Sequence, residues 1–150
     1  MGDRPENLRW AIAALQSLGE ISAVSSIYET EPIEYTAQPW FLNCAVGLAS
    51  ELDPHRLMQE ILIIEQGMGR VRTQPKGPRT IDIDILLFDD EQIDSPGLTI
   101  PHPSLHKRRF VLEPLAEIAG EALHPGLRKR ISELKNELKS DEIVKQFTEQ

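Results

Sequence analysis

The stretch Gly77-Pro78-Arg79-Thr80-Ile81-Asp82-Ile83-Asp84-Ile85-Leu86-Leu87-Phe88 reads as a β-strand entered from a turn. Side chains of a strand repeat every two residues, so Asp82 and Asp84 share one face while Ile81, Ile83 and Ile85 share the other. Two carboxylates whose Cα atoms lie about 6.5 Å apart can converge on a hard cation such as Mg²⁺, whose other ligands are typically water and phosphate oxygens. From the pattern alone, a pair of acids on a solvated sheet face reads equally well.

The residues on either side favour the first reading. Residues 67–79 hold Arg70, Arg72, Lys76 and Arg79 with no acid, and residues 102–110 hold Lys107, Arg108 and Arg109 with no acid. Seven of the 16 basic residues thus fall in two short windows flanking the two aspartates, although the chain carries a net charge of −8. An acidic protein with local basic windows is built to take a polyanion such as a phosphate ligand, where two solvated basic loops would be the plainer alternative. The same net charge and the lack of an exposed aromatic set on the strands argue against an RNA or DNA surface.

At 150 residues the chain suits one domain, residues 1–150, with a core that needs no disulfide. The lone cysteine, Cys44, lies in the apolar run Phe41-Leu42-Asn43-Cys44-Ala45-Val46 and reads as a buried thiol, or else a reactive one, in a reducing cytoplasm. No signal pattern and no apolar run of membrane-spanning length occurs.

Asp3-Arg4-Pro5-Glu6 predicts a helix start, with Asp3 as cap, Leu8, Ala11, Ile12, Leu15 and Leu18 on one face, and Gly19 as its end. Strands are expected from Glu20 to Glu29 and from Trp40 to Ser50, paired antiparallel across the loop Thr30 to Pro39. Asp53-Pro54 opens a second helix with Leu57, Ile61 and Ile64 inward, stopping at Gly67 or Gly69. After the aspartate strand come a turn at Asp89-Asp90-Glu91 and an extended piece at Leu98-Thr99-Ile100. Residues 104–119 read as helix interrupted near Pro114, Leu127 to Leu138 as an amphipathic helix, and Asp141 to Gln150 as a weaker helix, so that residues 127–150 form a helical tail.

The motifs Tyr28-Glu29-Thr30-Glu31-Pro32, Gln38-Pro39-Trp40-Phe41-Leu42-Asn43, Glu65 with Gly69-Arg70-Val71-Arg72, the aspartate stretch, Ile100-Pro101-His102-Pro103 and Arg108-Arg109-Phe110-Val111-Leu112 occur in order over roughly residues 2–125. In that combination the chain resembles the 6-hydroxymethyl-7,8-dihydropterin pyrophosphokinases of folate biosynthesis. The resemblance implies an α+β, ferredoxin-like antiparallel sheet covered by helices, and transfer of the β,γ-diphosphate of ATP to the pterin hydroxymethyl group with release of AMP. It implies that Asp82 and Asp84 hold two Mg²⁺ ions, and that Arg70 and Arg79 close on the phosphates as catalytic residues. Glu65, Thr99, His102 and Arg108 would contact ATP. Thr30, Ile33, Phe41, Asn43 and Phe110 would form the pterin slot. By residue type alone Phe41 and Phe110 read also as core, Asn43 as a turn or edge residue and His102 as a loop residue. The implied partners are the two small-molecule substrates, and neither nucleic acid nor a membrane. Oligomeric state is not legible.

Two departures stand out. Lys76 occupies a position where many relatives carry tryptophan. The chain opens Met1-Gly2-Asp3-Arg4, where relatives place a strand and a Leu-Gly-Ser-Asn turn before Gly-Asp-Arg, so the family's first strand is expected to be absent. Either the natural start lies upstream, or another strand or a partner chain fills the gap by β-augmentation. A catalytically impaired nucleotide-binding or interaction module is the alternative function that this gap allows.

Overall fold

A computed structural model describes residues 4–31, 41–70 and 81–148, the side chains of Arg4, Gly69 and Arg70 excepted. The Asp3 cap, Ile33, most of the Thr30 to Pro39 loop, Trp40, Arg72, Lys76, Arg79, Thr80 and the side chain of Arg70 lie outside the described residues.

The chain folds as α+β. Helix α1 spans Arg4–Leu15, and Pro5, Ala11 and Leu15 are buried along it. Its following turn leads through Gly19, where a Cβ would collide with the carbonyl oxygen of Ala49, so only glycine lets the two backbones approach. Strands β1 (Glu20–Val24) and β2 (Tyr28–Thr30) run antiparallel to β4 (Val46–Ala49) and β3 (Phe41–Asn43). The expected antiparallel pair is therefore present, but each strand is broken near its middle. There Ser25 N donates to Ala45 O at 2.9 Å while the Ser25 hydroxyl, and not its backbone carbonyl, accepts from Ala45 N at 2.8 Å. A side chain in the ladder bends both strands at one point.

Helix α2 spans Pro54–Arg70, opened as expected by Asp53, whose carboxylate accepts from Arg56 N at 2.8 Å. It runs past Gly67 and reaches Arg70, because a glycine inside a packed helix weakens it without ending it. Strands β5 (Ile93–Ser95) and β6 (Leu98–Ile100) form a hairpin around Pro96-Gly97. Gly97 has φ +83°, the left-handed position that a proline-glycine turn requires.

Helix α3 spans Arg109–Ala119 and continues through Pro114. The interruption expected there does not occur: Pro114 is buried against the neighbouring elements, and packing offsets the one lost backbone bond. The expected helix Leu127 to Leu138 is shorter. Residues β7 (Leu123–His124) and β8 (Lys129–Arg130) form a tight hairpin, with Arg128 at φ 59°, and α4 starts only at Ile131 and ends at Glu137. The weak helix at the end is also corrected: Val144–Gln146 is strand β9, antiparallel to β2. The open edge of β2 accounts for this, since it takes Phe147 N onto Ile27 O at 2.7 Å and gives Glu31 N to Ile143 O at 3.1 Å.

The largest difference concerns the aspartate stretch. Among the described residues no strand pairs with residues 81–88, so the segment is extended but not laddered to any of them. Its alternation survives: Asp82 and Asp84 are exposed, Ile81 and Ile83 half-buried and Ile85 buried. Burial holds it. Ile83, Ile85 and Phe88 pack into one core with Leu15, Leu57, Ile61, Leu98 and Ile100. Leu86 and Leu87 pack into a second, with Leu105, Leu112, Leu115, Ile131 and Leu134. The segment is the seam of the two cores, and each fully buried aliphatic side chain contributes about 1.5–3 kcal/mol. Between β4 and residues 81–89, roofed by α1, α2 and α3, lies a cavity of about 820 Å³. No described helix is long and apolar enough to cross a membrane.

Candidate active site

Two clamps fix the aspartate segment. From α2, Glu65 Oε2 accepts from Ile83 N at 2.6 Å, on the peptide between the two aspartates. From the turn after β6, His102 N donates to Leu86 O at 3.0 Å. Asp84 lies between these anchors, and Asp82 one residue before the first. Both aspartates face solvent, so the clamps hold a backbone whose inward side is apolar and whose outward side is acidic.

Both clamps come from residues expected at ATP. Glu65, expected at ATP, spends one carboxylate oxygen on the backbone of Ile83. His102 accepts from Ser104 N through Nδ1 at 3.1 Å, which leaves the ring proton on Nε2 in the neutral form. Its free-standing face is then a hydrogen-bond donor, suited to an anionic ligand. Thr99 is exposed on β6, directly across from Asp94.

Asp82 and Asp84 offer only hard oxygen donors, and among the described residues no group of three or more His, Cys, Asp or Glu side chains could hold a metal. That set does not make a protein cage or a zinc site. It fits a cation that keeps most of its positions for water and phosphate oxygens.

Arg108 sits at the entrance of α3, its guanidinium 5.9 Å from the centre of the Phe110 ring and 3.8 Å from Glu142 Oε2. Helix α3 packs on β2 and β3, which carry the other residues expected at the pterin. There Thr30 is buried and accepts from Asn43 Nδ2 at 3.3 Å, and Phe41, opposite Thr30 in register, is 55% exposed. A part-buried polar pair beside an exposed aromatic ring suits a flat heterocycle that stacks and hydrogen-bonds.

The structure thus brings Glu65, Asp82, Asp84 and His102 together, pairs Arg108 with Phe110, and joins Thr30, Phe41 and Asn43 on one ladder. Arg70, Arg79 and Ile33 lie outside the residues whose side chains are described. Two contributors escape a sequence reading. Glu117 accepts from the Tyr28 hydroxyl at 2.6 Å and from Ser26 N at 2.8 Å. Its hydrogen bond, with burial and the negative charge behind it, pushes the Tyr28 phenol up to about 12, so Tyr28 stays protonated at neutral pH and is no base. Glu142 comes from the tail, 33 residues beyond the Arg109 amide it caps, and no local motif announces it. Cys44 is half-buried, and burial pushes its thiol up, away from reactivity.

Residues 1–120 match the family model described as 7,8-dihydro-6-hydroxymethylpterin-pyrophosphokinase (HPPK). The chain is 47% identical over 120 residues to a 2-amino-4-hydroxy-6-hydroxymethyldihydropteridine pyrophosphokinase of Bacillus subtilis, covering 79% of this chain and 72% of that one. It is 42% identical over 137 residues to a protein of the same name from Methylorubrum extorquens, covering 86% and 87%. A folic acid synthesis protein of Schizosaccharomyces pombe, fol1, is 39% identical over 145 residues; the match covers 95% of this chain but only 20% of that much longer one. The chain belongs to the 7,8-dihydro-6-hydroxymethylpterin-pyrophosphokinase family.

Proposed function

We propose that the chain transfers diphosphate from ATP to the hydroxymethyl group of 6-hydroxymethyl-7,8-dihydropterin in folate biosynthesis, releasing AMP. The observation that carries this is the exposed Asp82 and Asp84 pair on a segment clamped by Glu65 and His102. The hydroxymethyl oxygen forms a bond to the β-phosphorus of ATP, the bond from that phosphorus to the α,β-bridging oxygen breaks, and AMP leaves with that oxygen while the hydroxyl loses its proton. Such a transfer asks the protein for position and charge neutralisation more than for covalent chemistry.

Asp82 and Asp84 would hold Mg²⁺, two ions in our reading, which when bound neutralise and orient the phosphate oxygens. Glu65 fixes the peptide between the aspartates, and His102 Nε2–H and Arg108 donate to ATP oxygens, with Thr99 beside them. Arg70 and Arg79 supply further guanidinium groups, whose forked donors suit phosphate better than an ammonium. Thr30, Phe41, Asn43 and Phe110, with the Ile33 loop, hold the pterin flat so that its hydroxymethyl group meets the β-phosphorus. We read residues 1–150 as one such domain, working in the cytoplasm. The cavity between β4 and residues 81–89 supports the view that one more strand completes the sheet there.

The test is Asp82→Ala and Asp84→Ala. Each should abolish AMP formation while the far-UV circular dichroism spectrum stays that of the parent. Near-normal turnover in either variant would remove the metal assignment, and ATP binding without AMP formation in the parent would favour a binding module over an enzyme.

A further inference from the structure

The tail beyond residue 120 lies outside the stretch that matches the family model, yet it reaches into the proposed ATP site. Its contact is Glu142. The carboxylate is 13% exposed, against 46% for the Arg108 side chain it faces. Oε1 accepts from Arg109 N at 2.8 Å, at the first turn of α3, and from the Ser140 hydroxyl at 3.2 Å. Ser140 Oγ in turn accepts from Glu142 N at 3.1 Å, so the local turn is closed on itself. Downstream, β9 ties the segment to β2, with Val144 opposite Thr30. One oxygen of Glu142 is therefore fixed on backbone, and the other stands 3.8 Å from the Arg108 guanidinium, a long contact to a half-exposed partner.

These two halves differ in kind. The bond to Arg109 N satisfies a helix-start amide with an anion, which the helix end favours. The contact with Arg108 is a loose surface ion pair, which water screens and which a multiply charged phosphate can displace. A fixed carboxylate facing a half-exposed guanidinium is a built-in stand-in for a phosphate oxygen.

We propose that Glu142 is an internal counter-anion that competes with an ATP phosphate for Arg108 and so sets the affinity for ATP. In the free protein it holds Arg108, and on binding the guanidinium exchanges the carboxylate for a phosphate oxygen while Glu142 stays on Arg109 N. The inference rests on the reading that Arg108 contacts ATP.

The experiment measures binding of α,β-methylene-ATP, which cannot release AMP, to the full chain by calorimetry with Mg²⁺ at low and high salt. Glu142→Gln keeps an oxygen for Arg109 N and removes the charge. It should tighten binding about sixfold, the factor for removing one unit charge at this distance in water-like surroundings, and the gain should fade at 0.5 M salt. Arg108→Gln should weaken binding, and Glu142→Gln should then add nothing. If Arg108→Gln weakens binding but Glu142→Gln leaves it unchanged or weaker, the counter-anion role is overturned and the ATP contact stands. If Arg108→Gln has no effect, both fall. The unmodified chain gives a second readout: the carboxyl ¹³C resonance of Glu142 should move at nucleotide saturation, and a resonance that stays put overturns the proposal.

Discussion

Replacing Glu65 by alanine tests the clamp on the aspartate segment. The bond from Ile83 N to the carboxylate is short, 2.6 Å, and charge-assisted. A hydrogen bond to a charged group contributes about 1.5–3 kcal/mol, and its loss here strands a half-buried amide in a segment with no ladder partner among the described residues. For a chain of this size each kcal/mol moves the melting temperature by about 2–4 °C, so Glu65→Ala should lower it by about 3–12 °C. The functional effect should exceed the loss of stability. Asp82 and Asp84 flank Ile83, and a displacement of about 1 Å at a catalytic group costs on the order of 100-fold in rate. Glu65→Gln retains an acceptor oxygen and should lose less on both counts. Melting followed by circular dichroism, and initial rates of pterin-dependent AMP formation, measure the two effects in the same preparations. A Glu65→Ala protein melting within 1 °C of the parent with kcat/KM within about twofold would refute the clamp. A raised KM for ATP with unchanged melting would make Glu65 a ligand contact instead.

Three further outcomes follow from particular groups. Because the folded-state pKa of Tyr28 is raised to about 12 from 10.0, its hydrogen bond to Glu117 stabilises below pH 10 and is lost as pH rises through 12. Tyrosinate absorbance should show a late step near that pH, absent in Tyr28→Phe; one step near pH 10 for both tyrosines would contradict it. Burial, and next the charge of His106, hold His124 below its ordinary 6.5, so stability from the neutral ring is present above that pH and is lost as pH falls below it. The fall in melting temperature between pH 7 and 5 should be shallower in His124→Asn than in the parent, and equal slopes would count against the assignment. Amides of residues 84–87 should exchange with deuterium faster than those of Tyr28–Thr30, which has strands on both sides; equal protection would mean that residues 81–88 have a ladder partner.

Much of the frame was legible because it rests on local signals. Asp53-Pro54 opens α2, and the two-residue period of Ile81, Ile83 and Ile85 correctly separates the inward side from the acids. What escaped depends on partners distant in sequence. Residues 81–88 keep a strand's alternation without a strand's pairing among the described residues, since burial in two cores can hold an extended segment there. Residues 144–146 look helix-capable by composition, but the free edge of β2 draws them into a strand. In the site, Asp82, Asp84, His102 and Arg108 stand out by motif, whereas the uses of Glu65, Glu117 and Glu142 are set by which backbone amides happen to face them. Acceptors for single amides leave no pattern in sequence.

The central claim is that the clamped aspartates serve diphosphate transfer, and product analysis of the unmodified chain tests it most directly. Purified protein incubated with ATP, Mg²⁺ and 6-hydroxymethyl-7,8-dihydropterin should yield AMP and the pterin diphosphate in equal amounts, with no inorganic phosphate released and no AMP without the pterin. Binding of both substrates with neither product formed, or ADP in place of AMP, would contradict it.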